Sequence, residues 1–366
     1  MSGRKQPRPG ADRSNASPIW PEAIVRPNIE LVYLDLNHWV ALAKANSGHR
    51  DGKRWTEVLA RLRLTHRKVA IVLGLPLIQE IIGIRRRKQR SDLADVIEEF
   101  TGFACVLPLT TVASLEFEAS LGSRIRSVRS IGAVNLLGRG VLRASGMDGR
   151  LRVRDESGAD VTDSARARSP LSPQEFDRRL EEGERELDRA ILRGPMSDEE
   201  EADLESLGWN PAAIREVAVR RAEQERELAA RLADEPRWRR GRLRDVVAAT
   251  YLALEIEDAR DHVLLRHKVR LDEVLSSVEE SRSFVDSMPA ADVWVTLKTA
   301  LHRSESTVWT PNDIHDVDAL SVAASYCDVV VTERAAAHVL KEAGVPARLE
   351  TEIFTDLEQL VRHLEQ

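Results

Sequence analysis

Leu31-Val32-Tyr33-Leu34-Asp35 is followed at once by Leu36-Asn37-His38-Trp39-Val40-Ala41-Leu42, which reads as a buried strand ending on a carboxylate and handing over to a helix. Outward from this stretch the alternation continues. Trp55 to Leu64 predicts a helix, with Trp55, Val58, Leu59 and Leu62 at helical spacing. Lys68 to Leu73, closed by Gly74 and Pro76, predicts a second strand; Leu77 to Lys88 and Asp92 to Phe100 predict further helices; Phe103 to Leu107, stopped by Pro108, predicts a third strand. Near the C-terminus the same texture returns, with Asp313 to Tyr326 and Ala335 to Ala343 helical, Asp328 to Thr332 a strand and Arg348 to Phe354 a last strand. Strands alternating with helical segments imply an α/β chain with a parallel sheet.

Between these halves the texture differs. From about Thr111 no strand is evident, Asp155 to Ser172 is polar, and Gln174 to Leu192, Ile214 to Leu232 and Leu243 to Leu275 have helical composition. The expected organisation is therefore an N-terminal tail over 1–28, the first part of an α/β domain over 29–110, a helical insertion over 111–288, and the second part over 289–366. The tail is rich in Arg, Pro, Gly and Ser, lacks an apolar signal-peptide core and is expected to be disordered.

With 366 residues the chain has ample length for a core. Its 54 Lys plus Arg against 60 Asp plus Glu give a net charge of −6, which excludes an overall basic nucleic-acid coat but not a local patch. Cys105 and Cys327 are too few for a disulfide framework and form no zinc spacing, so a reducing, cytoplasmic setting is expected. The longest apolar run, Val69 to Ile78, falls well short of the ~20 residues needed to span a bilayer. There is no P-loop, dinucleotide fingerprint or serine-hydrolase elbow.

Several acids resist a bland reading. Glu80 falls within the apolar stripe of Leu77, Ile81 and Ile84, where a carboxylate needs a cation, a hydrogen-bond network or a pocket; an arginine from another element is the simplest neutraliser. Asp313 and Asp316 are neighbours on one helix edge, whereas Asp318 points about 200° away from Asp316. A cap at Asn312 or Asp313 after Pro311 is the alternative for the first of these. Asp35 and Glu333 both follow strand ends, where ligands collect in open α/β sheets. If Asp35, Glu80, Asp316 and Glu333 converge, their mutual repulsion calls for a hard divalent cation, Mg²⁺ or Mn²⁺, held by oxygen ligands.

These residues carry a family resemblance. Asp35-Leu36-Asn37 resembles the Asp-x-Asn opening of the PIN (PilT N-terminus) domain nucleases, and Leu77-Ile78-Gln79-Glu80 their second acidic position. Asn312-Asp313-Ile314-His315-Asp316-Val317-Asp318-Ala319-Leu320, running on through Asp328 to Thr332-Glu333, is similar to their later acidic helix and following strand. The resemblance covers roughly Leu31 to Leu107 and Pro289 to the C-terminus. It implies a three-layer α/β/α fold with about five parallel strands and metal-dependent cleavage of RNA, less often of DNA. Asp35, Glu80 and Asp316 are then the expected metal ligands, assisted by Glu333 and by Asp313, with Asn37 and Thr332 as supporting groups. Glu333 stands where many relatives carry aspartate; spacing to Thr332 favours Asp316 as the third acid, whereas Asp318-Ala319-Leu320 resembles a common signature and favours Asp318. The insertion exceeds anything in a compact toxin-type PIN domain.

Around the acids, Arg85, Arg86, Arg87 and His315 are candidate substrate contacts, against the alternatives of a solvated helix terminus and a surface histidine. The string Arg237-Trp238-Arg239-Arg240, with Arg242, is either a base-stacking patch or a turn around a packed tryptophan. The leading expectation is a metal-dependent ribonuclease acting on single-stranded or structured RNA. An inhibitory protein is an expected further partner; the rivals are a non-catalytic scaffold whose insertion binds a protein partner, and a structure-specific DNA nuclease.

Overall fold

The computed structural model describes residues 16–130, 132–147, 151–206 and 210–366. The first strand, β1 (Leu31–Leu34), is buried on both faces and leads through Asp35 into α1 (Leu36–Asn46). Then follow α2 (Thr56–Thr65), β2 (Ala70–Val72), α3 (Leu75–Ile82), α4 (Arg87–Thr101), β3 (Ala104–Val106) and α5 (Leu109–Gly122). The middle of the chain contains α6 (Pro173–Arg193), α7 (Pro211–Asp234), α8 (Leu243–Thr250) and α9 (Val278–Asp286). The return is made by α10 (Pro289–Arg303), α11 (Pro311–Tyr326), β4 (Val329–Val331), α12 (Arg334–Glu342) and β5 (Glu352–Phe354).

The chain is mixed α/β and helix-rich, with one all-parallel sheet of four strands in the order β2-β1-β4-β5. Val32 pairs with Ile71 on one side and Val329 on the other, which makes β1 central and accounts for its uninterrupted apolar sequence. A single parallel bridge, Leu73 to Cys105, brings β3 alongside β2 in place of a fully paired fifth strand. On its far side β3 pairs antiparallel with Leu137–Arg139. That strand and Val134–Asn135 lie where the sequence predicts none, because two or three residues give no periodicity to read.

Several boundaries depart from expectation for local reasons. The helix predicted over Leu77 to Lys88 stops at Ile82, where Gly83 caps it, and a new helix starts at Arg87. The long helix predicted over Leu243 to Leu275 is broken by a π turn at Tyr251–Glu255 and by Lys268, which takes a left-handed conformation (φ 54°) after Glu257–His267. Residues 345–349 are helical, and β5 begins only at Glu352.

The N-terminal tail is corrected in part. Ile24–Val25 forms a parallel pair with Val134–Asn135, Ala23 and Ile24 are buried, and the Ile19 N–H donates to the Ser287 carbonyl at 2.7 Å. The apolar cluster Ile19-Trp20 and Ala23-Ile24-Val25 outweighs the surrounding polar composition, with Trp20 edge-on to Tyr326 at 5.4 Å. Residues 1–15 of the predicted tail lie outside the described residues.

The insertion shares its core with the sheet. One continuous apolar cluster joins Val32 and Val330 to Phe117, Leu243, Tyr251, Phe284 and Trp294. Glu116, fully buried on α5, accepts hydrogen bonds from the Ala290 N–H (2.8 Å) in the first turn of α10 and from the Tyr326 hydroxyl (2.7 Å) of α11. Burial pushes its pKa up to about 7 against these donors. The insertion is therefore not a separately packed unit. Trypsin is expected to cut first after Arg154, before the exposed turn at 155–160, or in the N-terminal tail, and the nicked chain should still elute as one species. Two fragments separating under native conditions would contradict a shared core.

Both cysteines are buried and free, and burial pushes both thiols upward. No described helix is long and apolar enough to cross a membrane.

Candidate metal centre

Asp35 occupies the turn between the central strand β1 and α1, where it is the N-cap. Its Oδ1 accepts the Leu36 N–H at 2.7 Å, and its Oδ2 accepts the Thr332 hydroxyl at 3.3 Å. Thr332 directly follows β4, so two adjacent strand ends fix one carboxylate. Glu80 comes from α3, whose Leu77 and Ile81 are buried while Glu80 itself is half-buried at the margin of that stripe. Asp316 comes from α11 and is also half-buried.

Asp35, Glu80 and Asp316 converge: each offers one carboxylate oxygen, and these oxygens lie within 4.8 Å of one another. Neither Glu80 nor Asp316 has a hydrogen-bond or ion-pair partner among the described residues, so the arginine that would neutralise Glu80 is not there. Burial, then Asp35 and Glu333, pushes Glu80 up to about 8. Burial, then Asp35, Glu80, Glu333 and Asp313, does the same to Asp316, also to about 8. Burial raises Asp35 too, opposed by the Leu36 N–H and the Thr332 hydroxyl.

The other predicted acids are differently employed. Asp313 closes a capping box, accepting from the Thr310 N–H and hydroxyl at 2.7 Å each, which corrects its expected place as a metal ligand. The cap is Thr310, one residue before Pro311, rather than Asn312 or Asp313. Asp318 turns to the far side of α11 and pairs with Arg221 of α7 at 2.5 Å, so Asp316 is the member of the string that joins the cluster. Glu333 is exposed, N-terminal to α12, and accepts from the Asn37 amide; it lies outside the trio but close enough to raise both Glu80 and Asp316.

Of the expected substrate contacts, Arg85 and Arg86 are exposed in the link after α3. Arg87 is already paired with Asp198 and with Glu201 (2.8 Å), partners more than a hundred residues away. His315 is half-buried and faces the Asp318–Arg221 pair; burial lowers its pKa, Asp318 opposes this and Arg221 adds to it. Trp39 is in the core, its indole N–H donating to the Leu34 carbonyl at 3.1 Å.

One neighbour escaped the sequence reading. Burial raises the Tyr33 phenol, and Asp35, Glu80 and Asp316, then Cys327, add to it. The signal was present: residues two apart on a strand share a face, so Tyr33 and Asp35 project together. No protein-family model, no curated protein and no solved structure matches the chain.

Proposed function

We propose that the chain is a metal-dependent ribonuclease with a PIN-like, three-layer fold around its parallel sheet, acting in the cytoplasm. The observation that carries this reading is the convergence of three carboxylates, one oxygen of each within 4.8 Å of the others, beside the carboxyl ends of two central strands. The donor set is all oxygen and lacks a neutralising cation among the described residues, so it fits Mg²⁺ or Mn²⁺. Asp35, Glu80 and Asp316 would hold the ion. A divalent cation in such a site supplies Lewis-acid polarisation of a phosphoryl oxygen and acidification of water.

The remaining work falls to the chain. Thr332 and the Leu36 N–H hold the Asp35 carboxylate in one orientation, and Asn37 restrains Glu333 at the rim. Arg85 and Arg86, exposed just beyond the helix that carries Glu80, supply salt-sensitive phosphate contacts. Water attacks phosphorus, the bond to the 3′ oxygen breaks, and the products carry a 5′-phosphate and a 3′-hydroxyl. A scaffold would show neither Mn²⁺ stabilisation nor cleavage, and a DNA nuclease would prefer the deoxy substrate; a thermal melt with and without Mn²⁺, paired with cleavage assays on matched RNA and DNA, separates the three.

The raised acids also set a pH dependence. A carboxyl whose folded pKa lies above its unfolded one stabilises the fold below the unfolded pKa, and that contribution is lost as pH rises through the folded value. For Glu80 and Asp316, both at about 8, the window runs from their ordinary values, 4.5 and 3.8, up to about pH 8. The metal-free wild type should therefore lose stability relative to Asp316→Asn across this window, and Mn²⁺ should reverse the trend. A difference between the two melts that stays flat from pH 5 to pH 8, on the order of experimental error, would contradict the packed trio.

A further inference from the structure

The basic-aromatic string runs along the helix Pro236–Gly241 and its cap Arg242, with Trp238 and Arg242 lining one cavity and Arg239 and Arg240 another. Arg237 and Arg242 flank the Trp238 ring at 5.6 and 5.5 Å, and Trp238 donates to Glu235 at 2.8 Å. Arg239 and Arg240 instead line a separate cavity of about 630 Å³, together with Leu301, His302, Thr307 and Trp309.

This cavity is lined by residues with unused polar atoms. Arg239 is largely buried and meets the exposed Glu305 through Nη1 at 3.0 Å, but its Nε is buried without a partner among the described residues. The Trp309 indole N–H and His302 Nδ1 are likewise unpartnered, on residues only 1% exposed. His302 is held from behind: its Nε2 lies 2.7 Å from Glu225, which also takes the Lys298 ammonium at 2.5 Å. Its ring is thereby fixed against Trp309, with centroids 4.7 Å apart. A buried guanidinium Nε and a buried indole N–H without acceptors among the described residues are costly, and only the exposed Glu305 meets the rest of the Arg239 guanidinium, so the wall suits a ligand rich in acceptor oxygens and negative charge. Arg240 adds a second positive charge, against Glu305 alone on the rim. Ala229, Leu232, Ala233 and Leu301 supply apolar wall, and the volume falls in the range of small-ligand pockets, well beyond what a lone phosphate fills.

We propose that this cavity binds a nucleotide, its phosphate held by Arg239, Arg240 and the Trp309 indole N–H, and its ribose or base against Leu232 and Leu301. The site is distinct from the acidic trio and does not rest on the ribonuclease reading. The test is calorimetric titration of the full chain in EDTA at low salt, so that the metal-free trio repels anions, with adenosine 5′-monophosphate, adenosine and inorganic phosphate as probes. The monophosphate should bind, with adenosine and inorganic phosphate each at least about tenfold weaker, and inorganic phosphate should compete. Arg239→Gln and Trp309→Phe should each weaken the monophosphate about tenfold. Arg240→Gln, at an exposed position where folding is not at stake, should weaken it at least about threefold, while Arg237→Gln on the Trp238 side should leave it unchanged. No binding of the monophosphate up to about 10 mM overturns the proposal. So does equal affinity for adenosine or for inorganic phosphate, or wild-type affinity in Arg240→Gln.

Discussion

Asp35→Asn, Glu80→Gln and Asp316→Asn are each expected to lower Mn²⁺-dependent cleavage of single-stranded RNA by at least about 100-fold while the chain stays folded. An amide keeps the shape of each side chain but removes a negative oxygen from a set whose members lie within 4.8 Å. The same change relieves repulsion. Without metal each variant should therefore melt higher than wild type, by an amount consistent with ~1 kcal/mol or more, and Mn²⁺ should raise the wild-type melt more than the variant's. Asp318→Asn is the internal control. Its carboxylate pairs with Arg221, which also bonds Glu255, so the change should lower the melting temperature and leave cleavage by the folded molecule near normal. Wild-type cleavage by Asp35→Asn would refute the assigned mechanism. A dead Asp318→Asn beside an active Asp316→Asn would show that the site uses the other face of α11.

Residues fixed by local periodicity were legible in the sequence. The apolar run before Asp35 gave β1, the stripe of Leu77 and Ile81 gave the odd placement of Glu80, and helix geometry separated Asp316 from Asp318. The structure supplies the physical reason for that separation: each aspartate answers to a different face of α11, one toward Asp35 and Glu80, the other toward Arg221. Thr310-x-x-Asp313 is a capping-box pattern and was readable too, but the acidic string drew Asp313 toward the metal instead.

What stayed hidden depends on residues far apart in the chain. Nothing near Arg87 announces Asp198 and Glu201, and nothing near Ile24 announces Val134. The division at Thr111 followed a real change of composition, yet composition does not report which helices share a core. Helix α10 is buried along most of its length, so α5, α8 and α9 cannot close a core of their own without it. The buried charges that tie these helices together are likewise invisible locally.

The largest effect on stability is expected at one of those ties. Arg244 of α8 lies between two buried carboxylates, 2.5 Å from Asp286 of α9 and 2.6 Å from Asp292 in the first turn of α10, and its Nη1 meets Thr296 at 3.3 Å. Arg348 approaches Asp292 from the other side. The side chains of Arg244, Asp286 and Asp292 are only 5%, 7% and 1% exposed, so solvent screens little of what the guanidinium does. Arg244→Met keeps the apolar stem but takes the positive charge from between the two acids, and should cost about 3–5 kcal/mol in urea unfolding. Arg244→Lys keeps the charge without the planar fork that reaches both carboxylates and Thr296, and should cost less. Adding Asp286→Asn to Arg244→Met removes one of the two negative charges that the guanidinium faced, so the double variant should be more stable than the single one. A loss below about 1 kcal/mol for Arg244→Met, or no recovery in the double variant, would show that the carboxylates are already satisfied without the guanidinium. Because α10 packs along α11, which carries Asp316, this tie supports the acidic trio only through the fold. The folded fraction of Arg244→Met should accordingly bind Mn²⁺ as wild type does, whereas Asp316→Asn should fold well and bind it poorly.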